Sequence, residues 1–149
     1  MNTINPLADV QAKLALATGK VAWGTALGVG SFLTVEFGER VEQAKGKVHG
    51  EFHLWVYCSA WRIETPAEIV ASSEDPREFL EPTVRSLDGR TLSDIQLDMP
   101  SLSSTFAFSD GTRLRTFSIF SKDFDHWMFY LPGGEVFTAG PGSTWSLGR

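Results

Sequence analysis

Three histidines, one cysteine and eighteen carboxylates are the groups in this 149-residue chain from which chemistry could be built. His49 and His53 stand four residues apart. In an extended strand that spacing separates their Cα atoms by about 13 Å, too far to chelate one ion unaided. His126 has no spacing that ties it to either. Cys58 with His53 would be the obvious nucleophile and base, but five residues along a strand send two side chains to opposite faces. Ser59 shares the face of His53 at a distance of about 20 Å, and no Gly-x-Ser-x-Gly elbow exists to present a serine. Asp123-x-Asp125-His126 is a fragment of a cation site without the further ligands and spacing of an EF-hand loop. Gly28-Val29-Gly30-Ser31 and Gly140-Pro141-Gly142-Ser143 lack the lysine and the following helix of a phosphate loop, and read as turns. A hydrolase would need His53, His126 and a carboxylate to converge in space. The expectation is no catalytic constellation, no metal and no cofactor.

Two distributions remain. Glu64, Glu68, Glu74, Asp75, Glu78 and Glu81 lie in one stretch with a single base, Arg77. Concentrated charge of one sign steers association with a partner of the other. Glu68, Glu74, Asp75, Glu78 and Glu81 are therefore the candidate partner-binding residues. The second distribution lies on one long strand, Glu51 to Ile63. Its alternation sends Phe52, Leu54, Val56, Cys58 and Ala60 one way, and His53, Trp55, Tyr57, Ser59 and Trp61 the other. Rings with polar handles make good anchors, so Trp55, Tyr57, Trp61 and Arg62 are the candidate lining of a ligand groove. That face could equally be the second buried side of a central strand.

The elements that must position these residues can be read locally. Asn5 as cap, Pro6 in the first turn, a stripe of Leu7, Val10, Leu14 and Ala17, and the stop at Gly19 predict a helix over about 6–18. From Val21 onward the pattern is strands and turns. Val21–Leu27 and Phe32–Phe37 flank the turn at 28–31, and a short element around Val41 turns at Lys45-Gly46-Lys47 into the long strand. Asp75-Pro76-Arg77-Glu78 resembles a capping box opening a short acidic helix, with Pro82 limiting its length. Thr91–Leu97 alternates as a strand. Hairpins follow at 105–120, through Ser109-Asp110-Gly111-Thr112, and at 126–138, through Pro132-Gly133-Gly134. The tail 140–145 reads as a loop that packs Trp145 against the body. No internal repeat or linker is evident. The chain is expected to be one α+β domain over 1–149, mainly antiparallel sheet with an N-terminal helix and a short acidic helix.

Composition narrows the function classes. At 42% hydrophobic and 12% aromatic residues the chain can bury a real core. A formal net charge of −5 opposes nucleic-acid binding, which needs a cationic surface. A lone cysteine excludes an internal disulfide and fits a reducing compartment. Met1 to Pro6 lacks the basic start and apolar core of a signal peptide, and no run of about twenty apolar residues could span a bilayer. The expected location is the cytoplasm, with no membrane partner. Exposed hairpin edges leave homo-oligomers open.

Gly30-Ser31-Phe32-Leu33-Thr34-Val35-Glu36-Phe37-Gly38, then the run Gly50 to Glu64, resembles a group of small bacterial proteins. Phe106-x-Phe-x-Asp-Gly-x-x-Leu114, His126-Trp127 and Gly140-Pro141-Gly142 continue the likeness, which covers most of the chain from Val21. Proteins of this look resemble the stand-alone immunity-like proteins of toxin and interbacterial-conflict loci. The resemblance implies binding of a toxin domain rather than catalysis, and transfers no contacting residue. The leading expectation is a non-enzymatic protein-binding module, immunity- or antitoxin-like, that occludes a basic effector. The alternative is a β domain that binds a small ligand in the aromatic groove.

Overall fold

The computed structural model describes residues 6–149. Helix α1 (Pro6–Leu14) tightens into a 3-10 turn over Ala15–Ala17. Val10, Leu14 and Ala17 are buried on its inner stripe, and Gly19, at φ +89°, takes the left-handed conformation that ends it. The expected cap, Asn5, lies outside the described residues.

Strands β1 (Ala22–Leu27), β2 (Leu33–Glu42), β3 (Val48–Val56), β4 (Ser59–Glu64) and β5 (Ile69–Ser72) come next. After α2 (Arg77–Val84) the chain continues through β6 (Leu92–Asp98), β7 (Ser103–Phe108), β8 (Arg113–Ser118), β9 (Trp127–Tyr130), β10 (Val136–Ala139) and β11 (Trp145–Gly148). They form two antiparallel sheets, ordered β1-β2-β3-β9-β10-β11 and β5-β4-β8-β7-β6. The class is α+β, mainly antiparallel sheet. The inward side chains of the two sheets meet in a core rich in aromatic rings. Phe106 of the second sheet lies 6.3 Å from Phe37, 5.7 Å from Phe129 and 5.9 Å from Trp127 of the first, between ring centroids.

An internal repeat, not expected from the sequence, organises this topology. Each half runs helix, 3-10 turn, three-stranded meander, then a hairpin that crosses to the other half's sheet. Thus β4-β5 extends β8-β7-β6, and β9-β10 extends β3-β2-β1. The two halves join through reciprocal backbone bonds. Gly19 N–H donates to Leu92 O and Gly89 N–H to Ala22 O, both at 2.7 Å; Ala22 N–H donates to Arg90 O and Leu92 N–H to Lys20 O, both at 2.9 Å. The buried indoles repeat as well. Trp61 Nε1 donates to Ser31 O at 2.7 Å, and its counterpart Trp127 Nε1 to Leu102 O at 2.8 Å. A spacing signal for the repeat does exist. Pro6, Val10, Leu14, Ala17, Gly19 and Lys20 recur in register as Pro76, Leu80, Val84, Leu87, Gly89 and Arg90. Burial preserves only the apolar class at such positions, so residue identities diverge and the likeness is hard to see.

The expected long strand 51–63 is two strands in different sheets. Between β3 and β4, Tyr57 and Cys58 continue alongside the chain that precedes β9, and their N–H groups donate to His126 O at 3.0 Å and Asp125 O at 3.4 Å. The alternation shifts by one residue there. Phe52, Leu54 and Val56 face inward on β3, whereas Ser59, Trp61 and Ile63 face inward on β4. The acidic helix is also built differently. Asp75 caps nothing: its Oδ2 accepts the N–H of Ser72 at 2.8 Å, Pro76 holds the cap position, and Pro82 lies inside α2. Strands β5 and β11 were not expected.

Candidate functional site

The register of β2, β3 and β9 sets Glu36, His53 and Tyr130 side by side on the outer face of the first sheet. Glu36 is buried at 9% exposure and both its oxygens are used. Oε1 accepts the N–H of Gly50 at 2.8 Å, and Oε2 meets His53 Nδ1 at 2.5 Å. Such a carboxylate fixes the imidazole plane and leaves Nε2 as the ring's free position. The His53 ring stands edge-on to Tyr130 at 5.4 Å. Beside this row is a cavity of about 560 Å³, lined among others by Val41, His49, Glu51, His53, Tyr130 and Glu135. Glu51 and Glu135 at its rim are neutralised, by Lys20 at 3.2 Å and Lys13 at 2.9 Å. The Glu39 N–H holds the Glu51 carboxyl below its ordinary range, with Lys20 adding to that effect against the opposing influence of burial. No Ser, Thr or Cys is among the residues described around the cavity, and its one hydroxyl is the phenol of Tyr130.

The candidate groove residues separate. Trp55 stays on this outer face next to His53 along β3, edge-on to Tyr57 at 5.1 Å, and Tyr57 packs on Phe32 at 4.7 Å. Trp61 is buried between the sheets at 1% exposure, and Arg62 is on the outer face of the second sheet. The shift of alternation between β3 and β4 is the cause. His53 and His126 do not meet. His53 pairs with Tyr130, four residues along from His126, and the buried His126 ring bonds Gly142 O through Nε2 at 2.8 Å. Cys58 has its thiol pushed up by burial and by the charge of Asp125, which disfavours a thiolate. Among the described residues no group of three His, Cys, Asp or Glu could hold a metal ion.

The acidic segment is partly consumed internally. Asp75 holds the Ser72 N–H, and Glu81 pairs with Arg77 at 2.8 Å. Arg77 also donates to Gly28 O and Gly30 O, tying α2 to the β1–β2 turn. The carboxylates of Glu68, Glu74 and Glu78 are exposed and have no hydrogen bond or ion pair among the described residues. On the same segment Ile69 is 60% and Phe79 45% exposed. A second cavity, of about 430 Å³, lies beside Glu74, Asp75 and Arg77.

Glu36 escaped the sequence reading. Alternation does set it opposite Leu33, Val35 and Phe37, but its union with His53 depends on which strand β2 pairs with. No family model, curated protein or solved structure matches this chain. No described helix is long and apolar enough to cross a membrane.

Proposed function

We propose that this protein is a non-enzymatic protein-binding module of the immunity or antitoxin kind, which acts in the cytoplasm by occluding a basic effector. The observation that carries this reading is the set of three unneutralised carboxylates, Glu68, Glu74 and Glu78, beside the exposed Ile69 and Phe79. Free charge around exposed apolar side chains suits an interface whose rim steers the encounter and whose centre is desolvated. Asp75 and Glu81 hold the segment in shape rather than meeting the partner. The test begins with a partner captured on the immobilised protein at low salt and released at high salt. Reversing charge in the Glu74→Arg/Glu78→Arg double variant slows association with that partner by about tenfold and flattens its salt dependence. Unchanged association kinetics would overturn the placement.

A second reading, binding of a small ligand, is favoured by the cavity beside Glu36, His53 and Tyr130. Its volume is in the range of small-molecule sites, and it combines apolar walls with a fixed imidazole. In a panel of polar metabolites, a true ligand at one hundred times its Kd raises the unfolding free energy by about 2.7 kcal/mol. The rise is absent in His53→Ala. A panel ligand that stabilises both proteins equally would place its site elsewhere.

A further inference from the structure

On the outer face of the second sheet arginines gather where β4 meets β8, while Asp94 and Asp98 lie on the far strand, β6. In the ladder between β4 and β8, Arg62 faces Arg115 directly and Glu64 faces Arg113. Like charges directly opposite each other in an antiparallel pair repel, and a single carboxylate serves both members. Glu64 accepts Nε–H of Arg62 on Oε2, and Nε–H of Arg115 on Oε1 at 3.0 Å. Burial pushes the Glu64 carboxyl up, but the hydrogen bonds and charges of Arg62 and Arg115 outweigh it and hold it below its ordinary range. One negative charge thus stands among three positive ones. Both bonded guanidiniums are engaged through Nε alone. Their terminal nitrogens have no hydrogen-bond partner among the described residues, and each side chain is about one-third exposed. The Arg62 guanidinium also lies over the Phe117 ring at 5.0 Å, which helps to fix its plane.

The internal repeat supplies a comparison within the molecule. On the first sheet the positions equivalent to Arg113, Arg115, Arg62 and Glu64 hold His53, Trp55, Met128 and Tyr130. The same ladder is built there without an arginine, so the fold does not require this cluster.

We infer that the outer face around Arg62, Arg113 and Arg115 is a docking surface for an acidic protein segment, whose Asp and Glu carboxylates are taken by the free guanidinium edges. A planar carboxylate matches that edge through two parallel N–H bonds. Neither cavity described above includes these residues; they lie on the open outer face of the sheet, where a segment of chain can reach them. Exposed Phe117 and Ile119 offer apolar contacts that a protein segment uses.

Fluorescence anisotropy with a labelled oligoglutamate peptide at low ionic strength tests this, with length-matched oligolysine and oligothymidylate as comparison probes. Oligoglutamate binds the unaltered protein best. Arg115→Ala weakens it by about tenfold. Arg62→Lys also weakens it, because an ammonium keeps the charge and loses the fork. Arg85→Ala, an exposed arginine elsewhere, leaves binding unchanged, and melting curves verify that each variant is folded. Arg115→Ala leaves association with the partner captured through Glu74 and Glu78 unchanged, so failure here is distinct from failure of the proposed function. Absence of oligoglutamate binding, equal binding by Arg115→Ala, or preference for oligothymidylate would overturn the inference.

Discussion

Replacing Trp127 by alanine lowers the free energy of unfolding by about 3–5 kcal/mol. The indole is fully buried. Its ring packs against Phe106 at 5.9 Å and Phe137 at 5.2 Å, so truncation opens a cavity at the meeting of both sheets. The same change strands a backbone acceptor. Trp127 Nε1 donates to Leu102 O at 2.8 Å in the buried interior, and an orphaned buried carbonyl adds about 1–3 kcal/mol. Leu102 itself sits at φ +61°, a conformation costly for a leucine, and this bond helps to hold it there. A domain of this size has roughly 5–15 kcal/mol in total, so the variant is marginal. Trp127→Phe retains most of the packing and loses the bond, and is expected near 1–3 kcal/mol. Urea unfolding separates the two, and an equal loss in both variants would contradict the division between packing and hydrogen bonding.

Gly50→Ala is expected to cost about 1–3 kcal/mol or more despite adding one methyl group. A Cβ at Gly50 would lie 2.6 Å from Phe37 O, 2.8 Å from Phe37 N and 2.9 Å from Phe52 O. All three are backbone atoms, so no side chain can swing aside; β3 must move away from β2, and its own backbone must bend at Phe52. The position is where the β2–β3 register is interrupted between Phe37 and Arg40. The Gly50 N–H is also the donor to Glu36 Oε1, so the displacement loosens the carboxylate that holds His53. The expected result is a lower melting temperature together with a changed His53 imidazole signal in NMR. Gly148→Ala is the matched comparison. Nothing lies within 4 Å of its added methyl, and stability should stay within about 0.5 kcal/mol of the parent. Equal effects at the two glycines would show that the close approach at Gly50 is not limiting.

Local rules reached far into this chain. The stripe Val10, Leu14, Ala17 and the stop at Gly19 marked α1, and alternation marked β2, whose Leu33, Val35 and Phe37 are all buried. Turns at Gly28–Ser31 and Ser109–Thr112 were legible because glycine and short polar residues have local conformational reasons to be there. The shift of alternation between β3 and β4 was not legible. It comes where the chain passes from pairing with β9 in one sheet to pairing with β8 in the other, Ser59 opposite Ser118, and no local window contains either partner. For the same reason Trp61 was placed with Trp55 and is instead in the core. Asp75 looked like a cap because its spacing to Glu78 is right, but a nearer donor, the Ser72 N–H, takes its carboxylate. Thus residue order by itself determined the helix, most strands and the acidic segment, since periodicity and turn chemistry act over a few residues. Only the tertiary structure decided which strands pair. With that it decided the repeat of the two halves, the union of Glu36 with His53, and the gathering of Arg62, Arg113 and Arg115 around Glu64, because strand pairing is a contact between residues distant in the chain.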